Sequence, residues 1–181
     1  MGKFVPPRSL LFMGLTLAVI RVAMGWLWLT NLTWKLPPTF DCEPGEGDGL
    51  CYWMGEMVEH SIFPPHAWFV ENVALPNYEV FGYLVVGMEL LTGVLLVLGL
   101  LTRFAALLGA LQAANLFVGL SSSPDEWFWS YLMLFFLHMV LLATAAGRYF
   151  GVDAYLHDRW KARYQKRDRE DRPAQIGALS T

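Results

Sequence analysis

The chain has 181 residues, of which 55% are hydrophobic, 15% aromatic and only 16% charged, with a formal net charge of −3. Soluble domains carry about a quarter charged residues, so this composition excludes an ordinary water-soluble domain and points to one membrane domain. The basic residues sit at the ends of apolar runs and in one terminal tail, which argues against nucleic-acid binding.

A helix crosses a hydrocarbon core of about 30 Å with about 20 apolar residues. The first such run covers roughly 9–34. Lys3 and Arg8 could open a cleavable signal peptide with a small-residue site at Ala23–Gly25. Against this, Arg21 interrupts the segment and the apolar run continues through "WLWLTNL", so a retained span is expected. Arg21 shares a helical face with Gly14, Ala18, Gly25, Trp28 and Leu32, ending at Lys35. A charge inside the bilayer is costly, and small residues beside it let another helix approach closely. Arg21 therefore should face a helix neighbour rather than lipid.

The segment 36–79 contains no Lys or Arg and eight acids between Asp41 and Glu79. It reads as a long outer loop. "CYWMGEMVEHSIF" and "HAWFVENVA", separated by Pro64-Pro65, are apolar enough for two short interfacial helices that could lie as a lid over the bundle. Cys42 and Cys51 flank a turn-rich stretch at C-x8-C spacing. A structural disulfide and a redox-active pair both fit, although acidic neighbours oppose thiolate formation. Glu59, His60 and His66 could bind an ion, but the spacing carries no metal signature and the surface-loop reading is preferred, so no metal site is expected.

The second run, 80–101, holds Glu89 on a face with Gly82, Val86, Gly93 and Leu96. At 1.5 Å rise per residue, Arg21 lies about 20 Å from Arg8, and Glu89 about 21 Å from Arg103. Matching depths predict an Arg21–Glu89 ion pair. The third run, 104–120, adds Gln112 and Asn115, and the fourth, 127–147, adds His138. Depth counting places Arg21, Glu89, Gln112, Asn115 and His138 in one intramembrane polar layer. Such a layer is either a structural hydrogen-bond network or a site for a polar headgroup such as a quinone ring. The residues alone assign no catalytic group.

Lys3, Arg8, Arg103, Arg148 and the tail cations fall on one side of four spans, and the acidic loops on the other. The positive-inside rule then puts both termini in the cytoplasm. Most tryptophans fall near the outer half, as an aromatic belt would. In the tail, Leu156, Trp160 and Tyr164 recur at helical spacing opposite a basic face. The expected architecture is all-α: an integral membrane four-helix bundle with a long extracytoplasmic loop between helices one and two and a cytoplasmic amphipathic C-terminal helix. Residues 1–157 form the membrane domain, and 158–181 a basic tail with a disordered end past Arg172.

Three stretches resemble the DoxX family and its DoxD branch: Arg21 with Gly25 and Lys35; "ELLTGVLLVLGLLTRFAA", 89–106; and "GRYFGVDAYL", 147–156. The resemblance covers roughly 15–35 and 80–157. It implies a four-helix protein of a prokaryotic cytoplasmic membrane. The DoxD branch is the small subunit of thiosulfate:quinone oxidoreductase, so the implied function is a membrane subunit of a quinone-linked, sulfur-compound-oxidising system. The lipid bilayer and a larger subunit are the implied partners. The alternative is a non-enzymatic scaffold or accessory subunit. No nucleotide, flavin, haem or iron–sulfur motif is present, which favours a subunit over a self-sufficient oxidoreductase.

Overall fold

A computed structural model describes residues 8–42, 49–124 and 126–164. The far tail, and with it the predicted disordered end, lies outside these residues. No strand occurs among them. The helices are α1 (Arg8–Thr30), α2 (Leu50–His60), α3 (Pro64–Phe69), α4 (Tyr78–Leu98), α5 (Thr102–Leu120), α6 (Phe128–Thr144) and α7 (152–164).

Three helical segments are long and apolar enough to cross a membrane: Arg8–Thr30, Pro64–Leu98 and Thr102–Leu120. Phe128–Thr144 is apolar but shorter, at 17 residues. α1 packs on α4, α4 on α5, and α5 on α6. Large side chains such as Phe12, Val19, Leu111 and Phe136 point outward. An apolar surface this extensive needs lipid rather than water around it.

The second apolar segment begins earlier than its sequence suggests. Pro64 and Pro65 start α3, where a proline's missing N–H is harmless. The chain stays helical from there to Leu98. Pro76 cannot donate to a preceding carbonyl, and the helix adjusts around it with a π turn at Val70–Ala74 and a 3-10 turn at Leu75–Asn77. Side-chain amides of Asn72 and Asn77 donate to the carbonyls of Trp68 (2.9 Å) and Val73 (2.8 Å). The predicted second interfacial helix is thus the first part of the continuous helical segment Pro64–Leu98, which is long and apolar enough to cross a membrane.

Two cores result. Leu17, Met24, Trp28, Leu96, Ala106 and Leu141 fill the bundle. Phe40, Leu50, Met54, Val70 and Ala74 form a second cluster at the acidic end, where α2 lies against α3 and α5. Phe40 is fully buried and edge-on to Tyr83, with its ring where a side chain on Gly82 would be. A disulfide joins Cys42 to Cys51 and ties the first turn of α2 to this segment.

Candidate functional site

α1 and α4 run antiparallel and touch through glycines. A Cβ on Gly25 would lie 2.8 Å from the Gly93 carbonyl, and one on Gly93 would meet Leu29. This contact sets the register. Arg21 falls opposite the last turn of α4, while Glu89 falls opposite the residues just past the C-terminal end of α1.

Arg21 is only 2% exposed. Its Nη1 donates to the carbonyls of Leu96 (2.8 Å) and Val97 (3.3 Å), and its Nη2 to that of Phe150 (3.1 Å). The guanidinium therefore answers the last carbonyls and negative dipole end of α4, adding to the Gly99 N–H that the Leu96 carbonyl also accepts. Gly99 ends that helix at φ 65°, a conformation glycine adopts freely, and a side chain there would strike the guanidinium. Leu101 follows at φ 47°, unusual for a branched residue. Asp153 holds it: its carboxylate accepts from the backbone N–H of Leu101 (2.8 Å) and of Thr102 (2.9 Å). Those are orphan donors at the start of α5, so Asp153 caps that helix from 51 residues away. The "GRYFGVD" stretch is a clamp that closes this basic end of the bundle.

The predicted Arg21–Glu89 pair is not formed. Glu89 instead pairs with Lys35 at 2.7 Å, with both side chains buried. The same carboxylate oxygen accepts from Asn31 Nδ2 (3.2 Å). Asn31 in turn accepts from Trp34 Nε1 (3.1 Å), and Lys35 sits 4.2 Å above the Trp34 ring. Burial pushes the Lys35 ammonium below its ordinary pKa, and the Glu89 carboxylate opposes that shift. The depth estimate failed because the start of α1 and the end of α4 are not level. Arg21, 13 residues into α1, stands beside the last turn of α4, which stops at Leu98. Glu89 lies nine residues back from that stop, about 14 Å further along the bundle. Arg21 also leans toward the start of α1, as helical side chains do, away from Glu89.

Nor do the remaining polar residues join one layer. His138 is completely buried between α1 and α5. Trp28 Nε1 donates to its Nε2 (2.9 Å), so Nδ1 carries the proton and donates to the Leu134 carbonyl (2.7 Å). Gly109 leaves the room its ring occupies. Gln112 donates to Thr92 Oγ1 (3.0 Å) and to the Leu108 carbonyl (3.3 Å). These groups are bonded inward. Gly109→Ala is expected to destabilise the protein by about 1–3 kcal/mol, because the His138 ring is held at both nitrogens and cannot yield. Denaturant titration in mixed micelles measures this, and an unchanged midpoint would show that the ring swings away freely.

Asn115 lies apart from the others. Its Oδ1 accepts from His66 Nε2 (3.1 Å), and His66 Nδ1 then accepts from the Ser61 hydroxyl (3.0 Å). The pair borders an open cleft of about 380 Å³ between α3 and α5, walled by Phe63, Pro65, Phe69, Ala114 and Val118. His66 reads as a loop residue in the sequence, because Pro64-Pro65 hides that it belongs to a span. Nearby, Glu56 contacts His60 (3.4 Å) and accepts from Ser123 (2.9 Å). Ligating atoms of Glu56, Glu59 and His60 lie within 4.8 Å of one another, and His66 is not among them.

A family model described as TQO small subunit DoxD matches residues 16–168. No solved structure matches the chain.

Proposed function

This chain belongs to the DoxD family, and on that premise we propose that it is a membrane subunit of a quinone-linked redox system that oxidises a sulfur compound. The match over residues 16–168 carries this reading. We read α1, the bent Pro64–Leu98 segment, α5 and α6 as four spans. The basic end, with Arg103 and Arg148, faces the cytoplasm of a prokaryotic cell, and the disulfide-bearing end faces outward. A larger partner supplies the electrons, since this chain carries no motif for a bound redox group.

A quinone headgroup needs hydrogen-bond donors for its carbonyls, flat apolar walls and access from lipid. Arg21, Glu89, Gln112 and His138 fit that need poorly: internal partners take most of their bonding groups, and the two atoms left without one, Arg21 Nε and Glu89 Oε2, are buried. The cleft at His66 and Asn115 fits better. The Phe63 and Phe69 side chains line it, the Asn115 Nδ2 amide is a donor at its border, and His66 Nε2–H, held there by Asn115 Oδ1, would turn from that partner to a quinone carbonyl. Quinone reduction takes up two electrons, which the partner supplies, and two protons, which come from water. His66 can pass each proton from Nε2 and regain one at Nδ1 through the Ser61 hydroxyl, which takes a proton from water as it gives one up.

The test uses the complex purified with its native partner, with quinol formation as the readout. His66→Ala and Asn115→Leu are expected to slow quinol formation at least about tenfold, with a raised KM for quinone and an unchanged KM for the sulfur donor. Full activity in both variants would remove the cleft assignment. It would favour the scaffold reading, which draws support from the inward bonding of the other polar groups.

A further inference from the structure

A second cavity lies at the basic end, away from the His66–Asn115 cleft. Its volume is about 910 Å³, and it lies between the start of α5, the end of α6 and the inner face of α7. Three cations line it: Arg103, Arg148 and Lys161. Among the described residues, none of these side chains has a hydrogen-bond or ion-pair partner. The one acid lining the cavity is Asp153. Both of its oxygens also accept from the α5 backbone, and its single charge offsets only one of the three cations.

The rest of the lining is apolar or amphipathic. Leu101 and Phe104, both exposed, lie at the start of α5, and Leu156, Trp160 and Tyr164 on α7. The Leu156/Trp160/Tyr164 stripe, spaced for one helical face, thus lines the cavity. The clamp fixes the geometry. The Asp153 N–H donates to the Gly99 carbonyl (2.9 Å) while its carboxylate caps α5. The first turn of α7 is therefore locked to the bundle, and the cavity is a built feature of the fold.

We propose that this cavity binds the phosphate of an anionic glycerophospholipid. Three cations against one acid leave a local charge of about +2, suited to phosphodiester anions. Arginine forks match phosphate oxygens in paired hydrogen bonds. The cavity sits where a span ends, which is headgroup depth. The exposed Leu101 and Phe104 side chains then accompany the acyl chains into the bilayer, and Trp160 and Tyr164 sit at the interface that such rings favour. Free phosphate shares the headgroup chemistry but makes no use of these apolar walls.

Native mass spectrometry of the purified full-length protein tests the assignment. It is titrated with phosphatidylglycerol, with phosphatidylcholine of the same chains, and with inorganic phosphate. The first phosphatidylglycerol is expected to bind at least about tenfold more tightly than phosphatidylcholine. Inorganic phosphate at the same concentration is expected not to displace it. The triple variant R103Q/R148Q/K161Q should lose the preference. Arg148→Lys should keep most of it, which separates charge from fold. Because the three side chains make no hydrogen bond or ion pair among the described residues, melting of the triple variant should stay near wild type. Equal binding of the two lipids, displacement by free phosphate, or an unchanged preference in a folded triple variant would each overturn the proposal. So would loss of a co-purifying acidic protein with lipid preference intact, since the occupant would then be a protein.

Discussion

Arg21→Ala is expected to destabilise the protein by about 3–5 kcal/mol. The arginine serves three carbonyls, two in the last turn of α4 and one at Phe150. Charge-assisted hydrogen bonds contribute about 1.5–3 kcal/mol each, and carbonyls left behind in a dry site add their own desolvation. The simple sum is larger than the expected loss. Water can enter at this end of the bundle, and the Leu96 and Val97 carbonyls share one nitrogen. The loss should be local before it is global. Once the Phe150 anchor goes, Asp153 no longer holds the start of α5, and the Leu101, Thr102 and Asp153 amides lose protection. Hydrogen exchange in micelles reads this directly, and denaturant unfolding gives the total. Arg21→Lys should fall between, because one ammonium cannot span carbonyls on two segments with a fork's geometry. A loss under about 1 kcal/mol, with protected amides at Leu101 and Thr102, would remove the clamp from this account.

Arg21 marks the boundary of what the sequence makes legible. Apolar length locates the helices, charge asymmetry separates the two ends, and cysteine spacing foresees the disulfide. The helical spacing of Leu156, Trp160 and Tyr164 picks out the α7 face that lines the basic cavity. These features depend on local periodicity or on sums over a segment. Pairings between segments depend on register, and one turn of error exchanges the partners. The Gly25–Gly93 contact fixes that register, yet a glycine on a small-residue face does not announce which glycine it meets. One overlooked signal did bear on the answer. Lys35 is the only lysine or arginine between Arg21 and Arg103, and it stands on the acidic side. A cation placed against the charge rule is a natural partner for a buried acid. His66 is hidden for another reason. Two prolines read as a break, whereas at the first turn of a helix they are tolerated and start the span.

A double-mutant cycle at Lys35 and Glu89 should give the second large effect. Glu89→Leu leaves a buried ammonium facing no anion, and Lys35→Met leaves a buried carboxylate with only Asn31. Each is expected to destabilise by about 3–5 kcal/mol. The double variant K35M/E89L should recover most of that loss, because two apolar side chains of similar volume suit a site already shielded from water. Glu89→Gln should be milder, since its amide oxygen still accepts from Lys35 and Asn31. The same method decides between the two candidate partners of Glu89. Glu89 and Leu96 are seven residues apart on one helix, about 10 Å along its axis. Arg21→Ala and Glu89→Leu should therefore add to within about 0.5 kcal/mol, as sites at that separation without a shared partner do. The charge swap R21E/E89R should rescue neither single variant, because it puts a carboxylate against the α4 carbonyls. Coupling above about 1 kcal/mol between Arg21 and Glu89, with none between Lys35 and Glu89, would reverse the pairing and the α1–α4 register with it.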